Sequence, residues 1–235
     1  MNGELLVVDD FPGAFASHVI AAYENRPDDL FSIALTSGST ARPCYERLAA
    51  ESTDVIDWLS VNVYWGDERC VPPDSERSNY HMARETLLGP LGIAPRQVFR
   101  MKGEMEPTRA ARAYENVLRK EFRGRPARLD LLFLGLGSDG HVASLFPGTA
   151  AVAEGRRLVA ANSVAKFSEW RITLTYRAIN AARRIVFLVS GVEKAASLAK
   201  ILEKRQGWRD LPASHVAPRR GTLAWLADEA AASKL

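Results

Sequence analysis

The apolar run at residues 129–134, interrupted only by Asp130, constrains the fold of this chain more than any other segment. It lacks the apolar–polar alternation of a half-exposed strand, which is typical of a strand buried on both faces. Three glycines, an aspartate and a histidine follow it, at Gly135, Gly137, Asp139, Gly140 and His141. Because glycine permits sharp turns and close approach to a ligand, the end of this strand is a candidate functional site.

The same order of a short apolar strand, a polar loop and a helix repeats along the chain. Strands are predicted at residues 5–8, 31–35, 61–65, 129–134, 158–161, 171–175 and 185–191. Helices are predicted at residues 13–24, 42–50, 80–88, 108–122 and 193–203. This alternation, with no linker-like segment, predicts one α/β domain over residues 1–235. We expect a Rossmann-like, open, twisted and mostly parallel sheet with helices on both faces.

Four polar loops each follow a predicted strand, with the sequences TSGST, GDER, GSDGH and SGVEK. In open parallel sheets, ligands bind beyond the carboxyl ends of the strands, where such loops meet. We therefore expect the four loops to converge on one edge of the sheet and to form the functional site together.

The TSGST loop is a candidate phosphate site. It follows a strand and opens a helix, so backbone N–H groups and the small residues Ser37, Gly38, Ser39 and Thr40 are available to an anion. A Walker A loop is excluded because no Gly-Lys-Ser/Thr sequence follows. The alternative is that these residues only cap the helix, since serine and threonine are favoured there.

The GDER loop carries two adjacent carboxylates and an arginine. We expect Asp67 or Glu68 to orient a water molecule or to bind sugar hydroxyls, and Arg69 to hold an anion through its planar guanidinium. The alternative is that these charges pair with one another at the surface, which is the usual fate of such groups. The position after a strand leaves both interpretations open.

The glycines after residue 134 spell G-x-G-x-x-G, which invites a dinucleotide-binding interpretation. Such a site requires an acid about 20 residues further on to bind the ribose. Here the next predicted strand runs into Asn162, and Asp139 would place a negative charge beside the pyrophosphate. We therefore expect no nucleotide cofactor.

His141 is instead a candidate general base, because an imidazole can take and return a proton near neutral pH. Asp139 beside it favours this role over that of a purely structural histidine. No pair of histidines has the spacing of metal ligands, so no catalytic metal is predicted. Lys194 and Arg171 are further candidates for holding a phosphate, although a solvated side chain is the ordinary alternative for the lysine.

Composition argues against several other classes of function. The chain has a formal charge of only +3, and its densest basic group, between residues 119 and 128, has a single interleaved aromatic residue, so nucleic-acid binding is not predicted. Two distant cysteines fit a reducing compartment. No segment approaches the roughly 18 consecutive apolar residues of a membrane span. We therefore expect a cytoplasmic protein with no membrane partner.

The loops, taken together, resemble a known family. The segments LTSGST, WGDERCVP with SNY after it, LGLGSDGHVASLFPG, RITLT with IN after it, and SGVEKA resemble those of 6-phosphogluconolactonases, in the same order, from about residue 5 to residue 231. That family belongs to the wider glucosamine-6-phosphate deaminase/isomerase-like superfamily. The related deaminases typically read Phe-Asn-Glu-Pro where this chain has Ser-Leu-Phe-Pro at residues 144–147, and Asp-Glu-Tyr where it has Asp-Glu-Arg at residues 67–69.

The resemblance implies hydrolysis of 6-phospho-D-glucono-1,5-lactone to 6-phosphogluconate, in the oxidative pentose phosphate pathway, without metal, nucleotide or covalent intermediate. His141 would take a proton from the attacking water and return it to the ring oxygen. Asp139 or Asp67 would orient the imidazole or the water, and Arg69 would stabilise the oxyanion. The phosphate would be held by Gly38, Ser39, Thr40, Lys194 and Arg171.

The phosphate loop departs from the family pattern Ser-Gly-Gly-Ser-Thr-Pro. Thr36 and Ser37 replace its first serine and glycine, and Ala41 replaces its proline. Ser37 carries a Cβ atom where a glycine is free to adopt unusual dihedral angles, so the sequence leaves the shape of this loop open.

Two other functions are alternatives. An amino-sugar-phosphate deaminase or isomerase would use the same phosphate loop and carboxylates. A catalytically silent sugar-phosphate-binding protein is disfavoured, because Asp67, Arg69, Asp139 and His141 are all present. For the assembly, we expect a monomer or a weak homodimer.

Overall fold

The computed structural model describes residues 3–123 and 127–235, so Arg125 of the basic group lies outside the described residues. The strands are β1 (Glu4–Val7), β2 (Phe31–Leu35), β3 (Val61–Trp65), β4 (Asp67–Arg69), β5 (Leu131–Gly135), β6 (Val159–Val164), β7 (Glu169–Leu174), β8 (Arg184–Val189) and β9 (Thr222–Ala227). The α-helices are α1 (Phe11–Glu24), α2 (Ala41–Glu51), α3 (Asn79–Ala83), α4 (Pro107–Glu121), α5 (Tyr176–Ile179), α6 (Ala195–Leu202) and α7 (Glu229–Ala232). Within these described ranges, no helix is both long enough and apolar enough to cross a membrane.

Six strands form a parallel sheet in the order β1–β9–β8–β5–β2–β3. The predicted α/β class and the mostly parallel sheet are therefore confirmed. The strand β5 lies in the interior of the sheet, between β8 and β2, which is where a continuous apolar run is stable.

The side chains of β5 alternate between two hydrophobic cores. Leu131 and Phe133 pack in the cluster that contains α1 and α2, whereas Leu132 and Leu134 pack in the cluster that contains α4 and α6. None of the four is more than 1% exposed. The strand is thus buried on both faces, and the prediction of helices on both faces is confirmed.

Two of the predicted strands lie outside the parallel sheet. The strands β6 and β7 pair in antiparallel fashion, and β4 pairs with β7, which gives a second sheet in the order β4–β7–β6. The expectation of an irregular loop at residues 67–69 is wrong, because these residues pair with residues 171–173 of β7. This small sheet places Arg69 directly opposite Arg171.

The strand β9, which the sequence analysis missed, completes the parallel sheet. It pairs with both β1 and β8, and Trp225 stacks on Phe187 of β8 with ring centroids 4.0 Å apart. The strand β1 joins the sheet through β9. The last part of the chain therefore anchors the first part, a pairing that local sequence patterns do not reveal.

Asp130, the polar residue in the central apolar run, connects three strands near their amino ends. Its Oδ2 atom accepts hydrogen bonds from the backbone N–H of Ser32 at 2.9 Å and from the Ser32 hydroxyl at 2.6 Å. Its Oδ1 atom lies 3.1 Å from Nε of Arg183, which precedes β8. Because the carboxylate is surrounded by partners, its burial inside the sheet is tolerated.

We expect Asp130→Ala to lower the free energy of unfolding by about 2–4 kcal/mol, because Ser32 and Arg183 lose a buried acceptor. Urea unfolding followed by circular dichroism measures this change. The matched control is Asp54→Ala, which removes an exposed acid and should change the free energy by less than about 0.5 kcal/mol. Equal losses in the two variants would contradict the role assigned to Asp130.

Candidate active site

The four polar loops follow β8, β5, β2 and β3, which are consecutive neighbours in the parallel sheet. Direct contacts join them in pairs. The Ser197 hydroxyl, in α6 after the SGVEK loop, donates to the Gly137 carbonyl of the GSDGH loop at 3.1 Å. The Gly66 N–H of the GDER loop donates to the Leu35 carbonyl, just before TSGST, at 3.0 Å. The expected convergence on one edge of the sheet is confirmed.

Two buried tyrosines fix the backbone where β2 and β3 end. The Tyr45 hydroxyl donates to the Thr36 carbonyl at 2.7 Å and accepts from the Thr36 N–H at 3.0 Å. The Tyr114 hydroxyl makes the same pair of bonds to Trp65, at 3.2 and 3.0 Å. Burial raises the pKa of both phenols far above the usual tyrosine value, so both hydroxyls keep the proton that they donate.

The TSGST loop turns at Gly38, where φ is +103°, a conformation that favours glycine. Ser37 does not have a positive φ, so the serine at this position is compatible with the turn. Thr40 occupies the N-cap position of α2, but its side chain makes no capping hydrogen bond. Thr40 therefore lies where the helix-cap alternative places it, but its hydroxyl does not bond to the helix.

A cleft of about 230 Å³ opens beside this loop. It brings Ser37, Gly38 and Ser39 together with Arg69, as the convergence of the loops requires. The cleft also receives Arg42, from the first turn of α2, which the sequence analysis missed; its place directly after the TSGST loop was the available signal. Its remaining lining residues are Glu76, Ser78, Asn79 and Met82.

Asp139 and His141 form a hydrogen-bonded pair at the end of β5. The Asp139 Oδ1 atom lies 2.6 Å from Nδ1 of His141 and also accepts from the His141 backbone N–H at 3.2 Å. The bond to His141 and its charge hold the pKa of Asp139 well below the usual aspartate value. Because Nδ1 is engaged by a carboxylate acceptor, Nε2 is the ring nitrogen left to exchange a proton.

Gly137 makes room for this pair. A Cβ atom at Gly137 would collide with the His141 ring and with Oδ1 of Asp139. The turn is closed by a bond from the Gly137 N–H to the His141 carbonyl at 2.9 Å. At Gly140, φ is +75° and a Cβ atom would lie 2.7 Å from the side chain of Leu211. Two of the three glycines are thus explained by close packing, Gly137 against His141 and Gly140 against Leu211.

The segment after β5 lacks the helix that a dinucleotide site needs. The described residues between β5 and Ala150 form turns, and the helical turn that follows there is a short 3₁₀ segment, Ala150–Ala153. A pyrophosphate at G-x-G-x-x-G depends on the amino end of a helix directly after the glycines. The geometry of this loop therefore does not fit a dinucleotide site. The general-base role of His141 stays a prediction.

Two phenylalanine rings lie between His141 and the small antiparallel sheet. The His141 ring stacks on Phe146, with centroids 4.1 Å apart and an interplanar angle of 23°. Phe146 meets Phe167 edge to face at 5.8 Å, and the Arg171 guanidinium lies 5.6 Å from the centre of the Phe167 ring. Through these contacts His141, in the loop after β5, is connected to Arg171, on β7.

Of the two acids considered for orienting the imidazole, Asp139 makes the contact. Asp67 instead accepts a hydrogen bond from the Ser144 hydroxyl at 2.6 Å and lies 3.4 Å from Nδ2 of Asn79. It is 6% exposed. Its carboxylate joins β4 to the turn that follows His141, so its influence on the site is exerted through that turn.

Glu68 does not fit the expected role in binding sugar hydroxyls. It is 2% exposed, and its oxygens accept from the backbone N–H groups of Arg69, Asn79 and Tyr80 and from the Ser78 hydroxyl. Burial raises the pKa of Glu68, while the backbone N–H donors oppose that rise. The expectation is corrected for this reason: the carboxylate fixes the start of α3.

Arg69 and Arg171 face each other, and Glu169, a carboxylate that the sequence analysis missed, pairs with Arg171. Glu169 contacts both Arg171, with Oε2 2.6 Å from Nη2, and Arg77. Arg69 donates to the Arg77 carbonyl at 2.7 Å. Burial lowers the pKa of both Arg69 and Arg171 from the usual arginine value, and the nearby Asp67 opposes this. Each keeps a buried Nε without a hydrogen-bond partner among the described residues.

Lys194 lies where the SGVEK loop enters α6. Its ammonium is 3.8 Å from Oε1 of Glu193, and its side chain is 25% exposed. Three residues later, Ser197 donates to Gly137, so Lys194 belongs to the same edge as the histidine loop. Burial raises the pKa of Cys44 to about 12 and that of Cys70 to about 11, so both thiols are protonated near neutral pH.

Comparison with known proteins finds similarity over most of the chain. A family model described as glucosamine-6-phosphate isomerases/6-phosphogluconolactonase matches residues 7–225. A 6-phosphogluconolactonase of Synechocystis sp. is 38% identical over 208 residues, covering 87% of this chain and 84% of the relative. A 6-phosphogluconolactonase of Rattus norvegicus is 42% identical over 209 residues, covering 87% of this chain and 80% of the relative.

A solved structure extends the similarity to the fold. The 6-phosphogluconolactonase of Trypanosoma brucei superposes with a TM-score of 0.85 at 28% identity, covering 99% of this chain and 98% of that one. The likeness therefore includes both the parallel sheet and the small antiparallel one.

We expect Gly137→Ala to break the bond between Asp139 and His141, because the added methyl group occupies the position of the imidazole. The proton shared by the two residues should disappear from the low-field proton NMR spectrum, and overpacking should cost about 1–3 kcal/mol of stability. Gly135→Ala is the matched control, since its nearest neighbour would be Thr36 Oγ1 at an ordinary 3.7 Å. Retention of the proton signal in Gly137→Ala would contradict this assignment.

Proposed function

The chain belongs to the glucosamine-6-phosphate isomerase/6-phosphogluconolactonase family, and on that premise we propose that it hydrolyses 6-phospho-D-glucono-1,5-lactone to 6-phosphogluconate. This reaction is a step of the oxidative pentose phosphate pathway. The lactonase relatives at 38% and 42% identity support the substrate class. The observation that carries the chemistry is the Asp139–His141 pair at the end of β5.

His141 acts as the general base in this proposal. Its Nε2 atom takes a proton from a water molecule whose oxygen attacks the lactone carbonyl, while Asp139 holds Nδ1 and stabilises the imidazolium that forms. The bond between the carbonyl carbon and the ring oxygen then breaks, and the proton returns from Nε2 to that oxygen. The products are a free carboxyl group and a hydroxyl group, so atoms and charge balance.

Arg69 stabilises the oxyanion of the tetrahedral intermediate. Its guanidinium lines the cleft beside the phosphate loop, and its position on β4 is fixed by pairing with β7. One well-aimed donor of this kind contributes roughly 3–4 kcal/mol to transition-state stabilisation. Partial burial strengthens its interaction with a developing negative charge, since the local dielectric is lower than that of water.

The phosphate is bound by groups remote from the reacting carbonyl. Ser37, Gly38, Ser39 and Thr40 offer hydroxyls and backbone N–H groups at the start of α2, and Lys194 and Arg171 supply positive charge. Glu169 already pairs with Arg171, so Arg171 contributes through its remaining donors. Binding of the remote phosphate positions the lactone. Part of this binding energy then lowers the activation free energy of attack at the carbonyl.

Phe146 favours the lactonase over an amino-sugar-phosphate deaminase. The deaminases that the sequence resembles have a glutamate at this place in their Phe-Asn-Glu-Pro segment. Here the position is an apolar ring stacked on the His141 imidazole, which offers no second carboxylate for proton transfer. Water activation by the single Asp139–His141 pair is the chemistry that the geometry supports.

We extend the proposal to the organisation of the protein. Residues 1–235 act as one domain, and the protein is a monomer or a weak homodimer. A cytoplasmic location is proposed from the cysteine usage, with Cys44 and Cys70 both free.

We expect His141→Ala to lower kcat by about 10²–10⁴-fold, because water loses its general base, while binding of 6-phosphogluconate survives. Lactone hydrolysis after subtraction of the spontaneous rate, together with calorimetric binding of the product, measures both quantities. His215→Ala is the control, since that ring contacts the Arg209 carbonyl away from the paired aspartate. A near-normal kcat in His141→Ala would rule out the proposed base.

We expect Lys194→Ala to raise KM for the phosphorylated lactone by roughly 10-fold or more, with a smaller effect on kcat, because it removes a charge from the phosphate site. The unphosphorylated gluconolactone is the matched substrate, and its hydrolysis should not change between wild type and variant. An unchanged KM for the phosphorylated substrate would remove Lys194 from the phosphate site.

A further inference from the structure

The connection between β6 and β7 reaches over the catalytic pair. It is a tight hairpin tip formed by the 3₁₀ turn Ala165–Phe167 and by Ser168, whose φ of 50° lies in the left-handed region. This tip joins two strands of the small antiparallel sheet, whereas His141 lies in the loop after β5 of the parallel sheet. Two of its side chains nevertheless contact the catalytic loop.

Lys166 makes the first of these contacts. Its ammonium lies 3.2 Å from Oδ2 of Asp139, whereas the other oxygen of the same carboxylate is bonded to His141 at 2.6 Å. The two oxygens of Asp139 are therefore divided between a lysine and the imidazole. This division fixes the plane of the carboxylate, since rotation about χ2 would break both bonds.

Phe167 makes the second contact, against Phe146 on the outer face of the stack that covers His141. The ammonium of Lys166 lies 5.4 Å from the centre of this same ring. The hairpin tip thus approaches the catalytic pair on two sides: Lys166 holds the aspartate, and Phe167 supports the ring that holds the histidine.

The charged groups around the imidazole come from four elements. Asp139 faces it from its own turn, Lys166 from the hairpin tip, and Arg171 from β7 behind Phe167. Lys194 stands on the segment entering α6, which contacts the Gly137 carbonyl through Ser197. Of these cations, Lys166 is the one in direct contact with the carboxylate that orients the imidazole.

We propose that Lys166 is a positioning residue of the lactonase site, which holds Asp139 in the orientation that His141 requires and sets the basicity of the imidazole by its positive charge. The proposal rests on the general-base role given to His141 above. The ammonium of Lys166 is largely exposed, so this ion pair adds little to the stability of the fold. Its effect is exerted on the protonation of the histidine.

The sign of the effect follows from electrostatics. A cation near an imidazole disfavours the imidazolium, and a cation bound to Asp139 also weakens the attraction of that aspartate for the imidazolium. Removing Lys166 therefore makes His141 easier to protonate. At a partly exposed site, loss of one such charge is expected to raise the titration midpoint on the order of 0.5 pH unit.

The test compares Lys166→Met, which removes the charge and keeps most of the length, with Lys166→Arg, which keeps the charge. Proton NMR titration of the His141 Cε1–H signal is recorded for both variants and for wild type. We expect the midpoint to move up by about 0.5 pH unit in Lys166→Met and to stay close to wild type in Lys166→Arg. This readout needs no turnover, so it is independent of whether His141 is the base.

Steady-state kinetics provides the second readout. In Lys166→Met the acid limb of the kcat/KM profile should move to higher pH by the same amount, which lowers the rate on that limb by about threefold, with KM on the plateau unchanged. Lys120→Met, at the far end of α4, is the control for a simple loss of one positive charge. In the Asp139→Asn background, Lys166→Met should shift the NMR midpoint by less than it does in wild type, because only the direct effect of the ammonium on the imidazolium remains.

Several results would overturn the proposal. An unchanged His141 midpoint in Lys166→Met would show that the contact does not reach the imidazole. An equal shift in Lys120→Met would assign the effect to net charge. A raised KM with an unmoved pH profile would make Lys166 a substrate contact instead. If the NMR shift is seen but His141→Ala keeps normal turnover, the coupling stands and the general-base assignment fails.

Discussion

The phosphate loop and the cleft depend on two phenol hydroxyls that hold the backbone at the ends of β2 and β3. Each hydroxyl donates to the carbonyl and accepts from the N–H of one residue, Thr36 or Trp65. At these points the chain leaves the hydrogen-bonding pattern of the sheet, and its polar groups are buried. Without a partner each such group would cost about 1–3 kcal/mol. Because α2 and α4 supply the phenols, the packing of two helices on opposite faces fixes the loops from which Ser37 and Arg69 extend.

Much of the parallel sheet could be predicted from the sequence, because its strands are apolar runs whose burial on two faces leaves a clear local pattern. The exact match of β2 and β3 to the predicted strands is an example. The strand β9 was missed although it is six residues long, because it follows a segment rich in turns. The small sheet was predicted only in part: β6 and β7 have strand-like patterns, but the antiparallel pairing of β7 with residues 67–69 depends on contacts about a hundred residues apart in sequence.

The candidate site, like the fold, was predicted only in part. His141, Asp139, Arg69 and the TSGST loop were identified from local motifs, because each motif combines a strand end with reactive or anion-binding groups. The tertiary partners of the charged residues Asp67, Arg171 and Glu68 were not identified. Ser144 bonds to Asp67, Glu169 pairs with Arg171, and Ser78 bonds to Glu68. A serine or glutamate in an ordinary context carries no signal of the carboxylate or arginine that tertiary packing brings to it, and this is why Glu68 was assigned to the substrate instead of to α3.

The space at Gly137 has a consequence for protein engineering. The imidazole of His141 occupies the volume in which any other residue at position 137 would carry its Cβ atom. A designer who grafts an aspartate and a histidine, two residues apart, onto another strand end would reproduce the functional groups without the room that they need. The unit to transfer is thus the five-residue turn from Gly137 to His141. The glycine at position 137 is as necessary to this turn as the imidazole at position 141.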